Sequence, residues 1–159
     1  MPSIPAQALY NACLDGDAAA VSRLLPLGGT PRNLSGPAFQ NPEDKSTPLI
    51  AAAEGGHTEI VRMILERAPC TAVDHRLITI GATATGMAAL FHHADIVRLL
   101  ADRGANVNFA GQRRISPLCL AVGLISPDAR PRGPDPDGAR QVATVRALLR
   151  LGAGTLPPS

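Results

Sequence analysis

The chain is a set of near-copies of one short segment. Laid over the stretch that starts at Thr83, the run from Thr47 to Leu65 coincides at a shift of 36 residues: Ala52-Ala53 falls on Ala88-Ala89, His57 on His93, Glu59 on Asp95, and Ile60-Val61-Arg62 on Ile96-Val97-Arg98. A further copy opens at Ser116-Pro117-Leu118, 33 residues beyond Thr83, and closes on Val145 to Ala153. A degenerate earlier copy runs from Leu9 to Asp17 and on through Val21, Leu24 and Leu25 to Gly28-Gly29. A period in this range marks supersecondary units that cannot bury their apolar faces alone and stack on their neighbours to do so.

The chemistry of one copy says what the unit is. Thr47 before Pro48 sets a side-chain acceptor at a helix N-cap and a fixed φ at the first helical position, where no donor is lost, and Ser116-Pro117 repeats the arrangement. Ala51, Ala52 and Ala53 are small enough for close helix approach, and Gly55-Gly56 ends that helix after about two turns. A second helix begins near Thr58, with Glu59 in its first turn and Arg67 in its last, both suited to the helix dipole. Ile60, Val61, Ile64 and Leu65 recur along it at helical spacing. Each copy is therefore read as a pair of short helices, and the chain as an all-α, elongated array of about four such pairs.

The residues that recur also resemble a known family. Thr-Pro-Leu-x-x-Ala, Gly-His, Ile-Val-x-x-Leu-Leu and Gly104-Ala105-Asn106-Val107-Asn108 are similar to the ankyrin repeat, and the resemblance covers residues 6 to 154. It implies an ankyrin-repeat solenoid of about four helix-turn-helix repeats with hairpin-like connections, spanning residues 1–154, with repeats near 6–34, 42–77, 78–110 and 111–154 and a tail or linker at 155–159. The family's usual His after Thr-Pro-Leu is replaced by Ile50, Gly86 and Cys119, so its hydrogen bonds between repeats are not carried over.

Two regions break the period. Thr30 to Pro37 lengthens the first connection and reads as an exposed loop. In the fourth copy Gly152 lies 48 residues beyond Gly104, whereas Ser116 lies 33 beyond Thr83, which leaves an insert of 15 residues between the two helices. It falls within residues 126–138, where the prolines and the lack of apolar residues exclude helix or buried strand, and it reads as a surface loop.

Composition narrows the function classes. Apolar residues make up 45% of the chain but aromatic ones 3%, so the core is aliphatic and there is little to stack on bases. Residues 1–110 hold eight basic and ten acidic side chains, and residues 111–159 seven arginines and three aspartates, a C-terminal excess too small to point to nucleic acid. No run approaches the roughly 18 apolar residues of a membrane span, and the N-terminus lacks the pattern of a secretory signal. Cys13, Cys70 and Cys119 are too few and too scattered for a disulfide framework or a zinc site. These features fit an intracellular protein, cytoplasmic or nuclear. His57 and His93 occupy equivalent positions and follow from the repeat, and no phosphate-binding glycine loop or nucleophile elbow is present. The expectation is a chain without catalytic residues, cofactor or metal.

The resemblance places partner binding on a concave face built from the hairpin tips and the exposed ends of the first helices. On this sequence those positions are Asp44, Lys45, Ile80, Arg113 and Arg114 at the tips and Glu54, Leu90, Phe91 and Leu124 at the helix ends. Leu90-Phe91 is the expected anchor, with Arg113 and Arg114 setting register or attracting a carboxylate. Phe91 has an alternative, turning inward to fill a gap left by Gly86. The expected function is a protein-interaction module for a partner protein or peptide, the alternative a regulatory or targeting ankyrin domain of a larger enzyme or signalling protein. The last helix offers Val142, Val145, Leu148 and Leu149 among Arg140, Arg146 and Arg150, a terminal face apolar enough for weak self-association or for further residues to pack on.

Overall fold

The structure is a computed structural model that describes residues 6–25, 33–69, 71–110, 115–123 and 138–154. Most of the insert expected at 126–138, and the tail at 155–159, lie outside the described residues. Among those described there are eight α-helices and no strand: α1 Ala6–Asp15, α2 Ala18–Leu24, α3 Pro48–Gly55, α4 Thr58–Arg67, α5 Ala84–Leu90, α6 Ala94–Asp102, α7 Pro117–Ala121 and α8 Ala139–Arg150. They form four consecutive pairs. The first helices stack as a row, α1 on α3, α3 on α5 and α5 on α7, and the second helices form a parallel row from α2 through α4 and α6 to α8.

Local chemistry starts these helices where the sequence placed them. The Ile50 N–H donates to Thr47 Oγ1, the Gly86 N–H to Thr83 Oγ1 and the Cys119 N–H to Ser116 Oγ, each at 3.3 Å. Each cap satisfies one amide that a helix N-terminus would otherwise leave unpaired. The α3 helix ends on Gly56, which takes the left-handed conformation at φ 76°.

An aliphatic core runs the length of the array. Ala51, Ala52 and Ala53 are fully buried and let α3 lie close to both α1 and α5, and Ala84, Ala88 and Ala89 do the same one pair later. Ile60, Val61 and Ile64 of α4 and Ile96, Val97 and Leu100 of α6 close the other side. With burial contributing about 25 cal/mol per Å² of apolar surface, this continuous seam rather than helix propensity holds helices of 5 to 12 residues.

The connections repeat as faithfully as the helices. One hairpin tip is closed by the Asn41 N–H on the Ser46 carbonyl at 2.8 Å, the next by the Leu77 N–H on the Ala82 carbonyl at 2.9 Å. Successive tips are tied by the Ile78 N–H on the Asp44 carbonyl, 3.0 Å. The expectation of an exposed loop over Thr30–Pro37 is corrected for its described residues, 33–37. Within it Leu34 is fully buried, its N–H donates to Thr71 Oγ1 at 3.2 Å, and Ser35 Oγ accepts the Ala72 N–H at 3.0 Å. Asn33 accepts from the amide two residues on, as Asn106 does in the third copy, so this stretch is a degenerate repeat connection seated against its neighbour.

Candidate functional site

The exposed ends of the first helices are tied to one another by histidine. A backbone carbonyl can only accept, so the Nε2 of His57 carries its hydrogen and donates to the Leu14 carbonyl at 3.2 Å, while His93 Nε2 donates to the Glu54 carbonyl at 3.2 Å. Each ring lies across the glycines that end the preceding helices. Hydrogen bonds between repeats, not carried over from the position after Thr-Pro-Leu, are thus supplied by His57 and His93. A Cβ built on Gly16 would meet His57, and one built on Gly56 would stand 2.5 Å from His93 Cε1. Burial holds the His93 imidazole below its ordinary value of 6.5, with the Glu54 carbonyl opposing and Arg140, His57 and His92 adding to the depression. A neutral ring with its hydrogen on Nε2 already supplies the donor that this rung uses.

Leu90 and Phe91 lie at the end of α5, one rung along. Both are half-buried and rest against the core with their remaining surface outward. The space beside Gly86 is occupied by Leu120, whose Cδ1 would lie 3.1 Å from a Cβ there, and by Ala82, so the close approach at that glycine is made by α7 and not by Phe91. Glu54 is half-buried at the end of α3, its carbonyl taken by His93.

At the tips, Asp44 is committed to the turn: its Oδ1 accepts the Ser46 N–H at 2.8 Å and its carbonyl accepts from Ile78. Lys45 is exposed and holds φ 60° where the next tip has Gly81 at φ 71°, and its carbonyl accepts from His75 Nε2 at 3.2 Å. Ile80 is half-buried against the core. The apolar residue most open to solvent at this tip is Ile78, 55% exposed, which the sequence reading passed over although it stands between Leu77, buried, and Thr79. Leu14, at the end of α1, is 40% exposed and continues the apolar character of the helix ends. Arg113, Arg114 and Leu124 lie outside the described residues.

Two ion pairs are formed among the described residues, Glu59–Arg62 and Asp95–Arg98, both solvent-exposed and both on second helices, away from the tips. Among the described residues no three of His, Cys, Asp and Glu converge, and no helix is long and apolar enough to cross a membrane. Burial pushes the Cys13 thiol up to about 12, a group unsuited to nucleophilic chemistry. What the arrangement can do is present a firm surface of half-exposed apolar side chains bordered by polar ones.

Comparison with known proteins agrees with the geometry. A family model described as ankyrin repeats (3 copies) matches residues 9–111. A curated relative, the transient receptor potential cation channel subfamily A member 1 of Drosophila melanogaster, is 31% identical over an alignment of 153 residues that covers 91% of this chain. The chain spans 10% of that relative's length.

Proposed function

The chain belongs to the ankyrin-repeat family, and from that premise we propose that it is a protein-interaction module whose concave face takes a partner protein or peptide. Ankyrin repeats generally mediate protein binding, and a fold of this kind works by the surface it presents. The observation that carries the reading is the pair Leu90 and Phe91, aliphatic and aromatic side chains half open at the end of a helix that the histidine ladder holds in place. Leu14 and Ile78 extend the apolar contact, Lys45 and Glu54 border it, and Asp44 shapes the tip. Arg113, Arg114 and Leu124 would complete the face at its basic end. In this reading the chain binds without catalysing, needs no cofactor, and acts inside the cell.

The test is a double substitution, Leu90→Ala with Phe91→Ala, compared with the native chain in selection from a displayed peptide library. Aromatic anchors at an interface centre contribute about 2 kcal/mol or more, so peptides selected by the native chain are expected to lose at least about thirtyfold in affinity with the melting temperature little changed. Undiminished binding, or a fall in melting temperature large enough to explain the loss, would assign the pair to the core.

A second reading is favoured by the coverage of the relative. A match confined to a tenth of a much longer channel fits a regulatory or targeting domain whose activity is encoded elsewhere. The mass of the native gene product separates the two.

A further inference from the structure

The far end of the array carries a second surface, independent of the concave face. Val122, Gln141, Val142, Val145, Arg146 and Leu149, with Arg150, line a groove of about 590 Å³ on the outer side of α7 and α8. Val142 and Leu149 are 54% and 55% exposed and Val122 is 41% exposed. These are repeat positions with an inner counterpart. Val122 stands where α5 has Ala89, fully buried, and Leu149 where α4 has Leu65, only 6% exposed. In the inner copies the following helix pair covers this face, so the groove has the shape that receives helices.

Its charge differs from every inner copy. In α4 the arginine at this level is answered by Glu59, and in α6 by Asp95, at 2.7 Å in the second case. The fourth copy has Ala143 in place of that acid and Arg150 where the inner copies have Glu66 and Asp102. No acidic residue occurs anywhere in α8, and neither Arg146 nor Arg150 forms an ion pair among the described residues. Two cations beside an apolar trough, on a position where the inner copies carry acids, are complementary to carboxylates in whatever lies there. A second copy meeting this face through the same face would set arginine against arginine, which works against that occupant. A flat anionic bilayer would meet the arginines but leave the trough unfilled.

We propose that this end of the solenoid docks an amphipathic helix of a partner protein, seated by aliphatic side chains at i, i+3, i+4 and i+7 in the groove and by flanking Asp or Glu residues on Arg146 and Arg150. The helix extends the row of second helices as a further repeat would, and supplies the acids that α8 lacks. The inference does not rest on the concave-face reading, since the two surfaces share no residue.

The probe is a displayed library of amphipathic helices of about 18 residues, five turns, with a fixed leucine stripe and randomised flanking positions. Selected on the full chain, the pool is expected to become enriched in Asp and Glu beside the stripe. Its members should lose at least about tenfold in affinity on Arg146→Glu with Arg150→Glu, and similarly on Leu149→Ser, while Leu90→Ala with Phe91→Ala leaves them unchanged. All three end-face side chains are solvent-exposed, so melting curves should stay close to native. A pool without acidic bias, or one whose binding ignores the arginine reversals, overturns the proposal. So does concentration-dependent dimerisation that Leu149→Ser abolishes, which would make a second copy the occupant. Binding to vesicles of phosphatidylcholine and phosphatidylserine at 3:1, lost on arginine reversal and without selection of any acidic helix, would assign the face to a membrane and likewise overturn it.

Discussion

Gly56 offers the sharpest test of the histidine ladder. It adopts φ 76°, where an alanine is strained by about 1 kcal/mol, and a Cβ there would stand 2.5, 2.8 and 2.9 Å from Cε1, Nε2 and Nδ1 of His93. All three atoms belong to one ring, so the ring must swing away as a unit. Doing so gives up its 3.2 Å hydrogen bond to the Glu54 carbonyl, a loss of about 1 kcal/mol. Gly56→Ala is therefore expected to destabilise by about 2 to 3 kcal/mol. Gly104→Ala is the control: its φ is 85° but nothing lies within 4 Å of the new Cβ, so only the backbone strain of about 1 kcal/mol applies. Urea unfolding measures both, and adding His93→Ala to each tests the cause. With Gly56→Ala the second substitution should cost at least about 1 kcal/mol less than it does alone, and with Gly104→Ala the two should add. Equal costs for the two glycines, or additivity at both, would refute the argument that the ring occupies the space.

Further outcomes follow from the same structure. Because burial lowers the His93 pKa, the unfolded chain takes up this proton first, and the contribution is complete above about pH 6.5 and declines as pH falls through it. The native chain should therefore lose more stability than His93→Gln between pH 7.5 and 5.5, by at most about 1.4 kcal/mol per pH unit for one proton, and parallel curves would show that the ring titrates freely. Cys13 should resist alkylation at pH 8 in the native chain and react once unfolded, as mapped by peptide mass spectrometry, and equal labelling in both states would contradict its burial. Arg67 Nη1 donates to the Leu25 carbonyl at 2.9 Å and to Ser22 Oγ at 3.0 Å, so Arg67→Met should loosen the first helix pair from the second, seen as faster amide exchange confined to α1 and α2. Exchange that rises evenly along the array would mean the pairs are coupled by other means.

The parts of the fold that were legible in the sequence are those whose cause is local. Thr47-Pro48 and Ser116-Pro117 carry their cap acceptor and their preset φ within two adjacent residues, and the structure places helix starts there. The period was legible because each copy solves the same packing problem with the same small residues, Ala52-Ala53 and Ala88-Ala89. The seating of Leu34 was not legible, since the hydrogen bonds that hold the stretch join Leu34 to Thr71 and Ser35 to Ala72, each 37 residues away, and nothing in Asn33-Leu34-Ser35 announces them. The histidines were half legible. Their recurrence at 57 and 93 was plain, but their acceptors, Leu14 and Glu54, lie 43 and 39 residues upstream and become visible only when the copies are stacked. The candidate face shows the same division. Leu90 and Phe91 follow from alignment with the other copies, whereas Leu77 buried and Ile78 exposed depend on how one tip hydrogen-bonds to the next.

The ladder and the candidate face share residues, and this has a mechanical consequence. The carbonyls that accept from His57 and His93 belong to Leu14 and Glu54, residues at the helix ends where a partner is proposed to dock. A solenoid is coupled chiefly between neighbours, so a bond that joins two repeats also fixes the position of one rung of the face relative to the next. Weakening a rung therefore acts twice, lowering the interfacial energy that makes the repeats unfold together and widening the range of positions that a bound segment must restrict. The two effects separate by position. Gly56→Ala releases the α3–α5 rung beside Leu90 and Phe91 and should weaken binding there beyond what its stability cost explains, because ordering that rung becomes part of the free energy of binding. Gly104→Ala, with open space around it, carries a stability cost and no such binding cost. If both variants, compared well below their melting temperatures, bound selected peptides equally, the rungs would serve stability alone and the face would owe its geometry to the aliphatic seam beneath it.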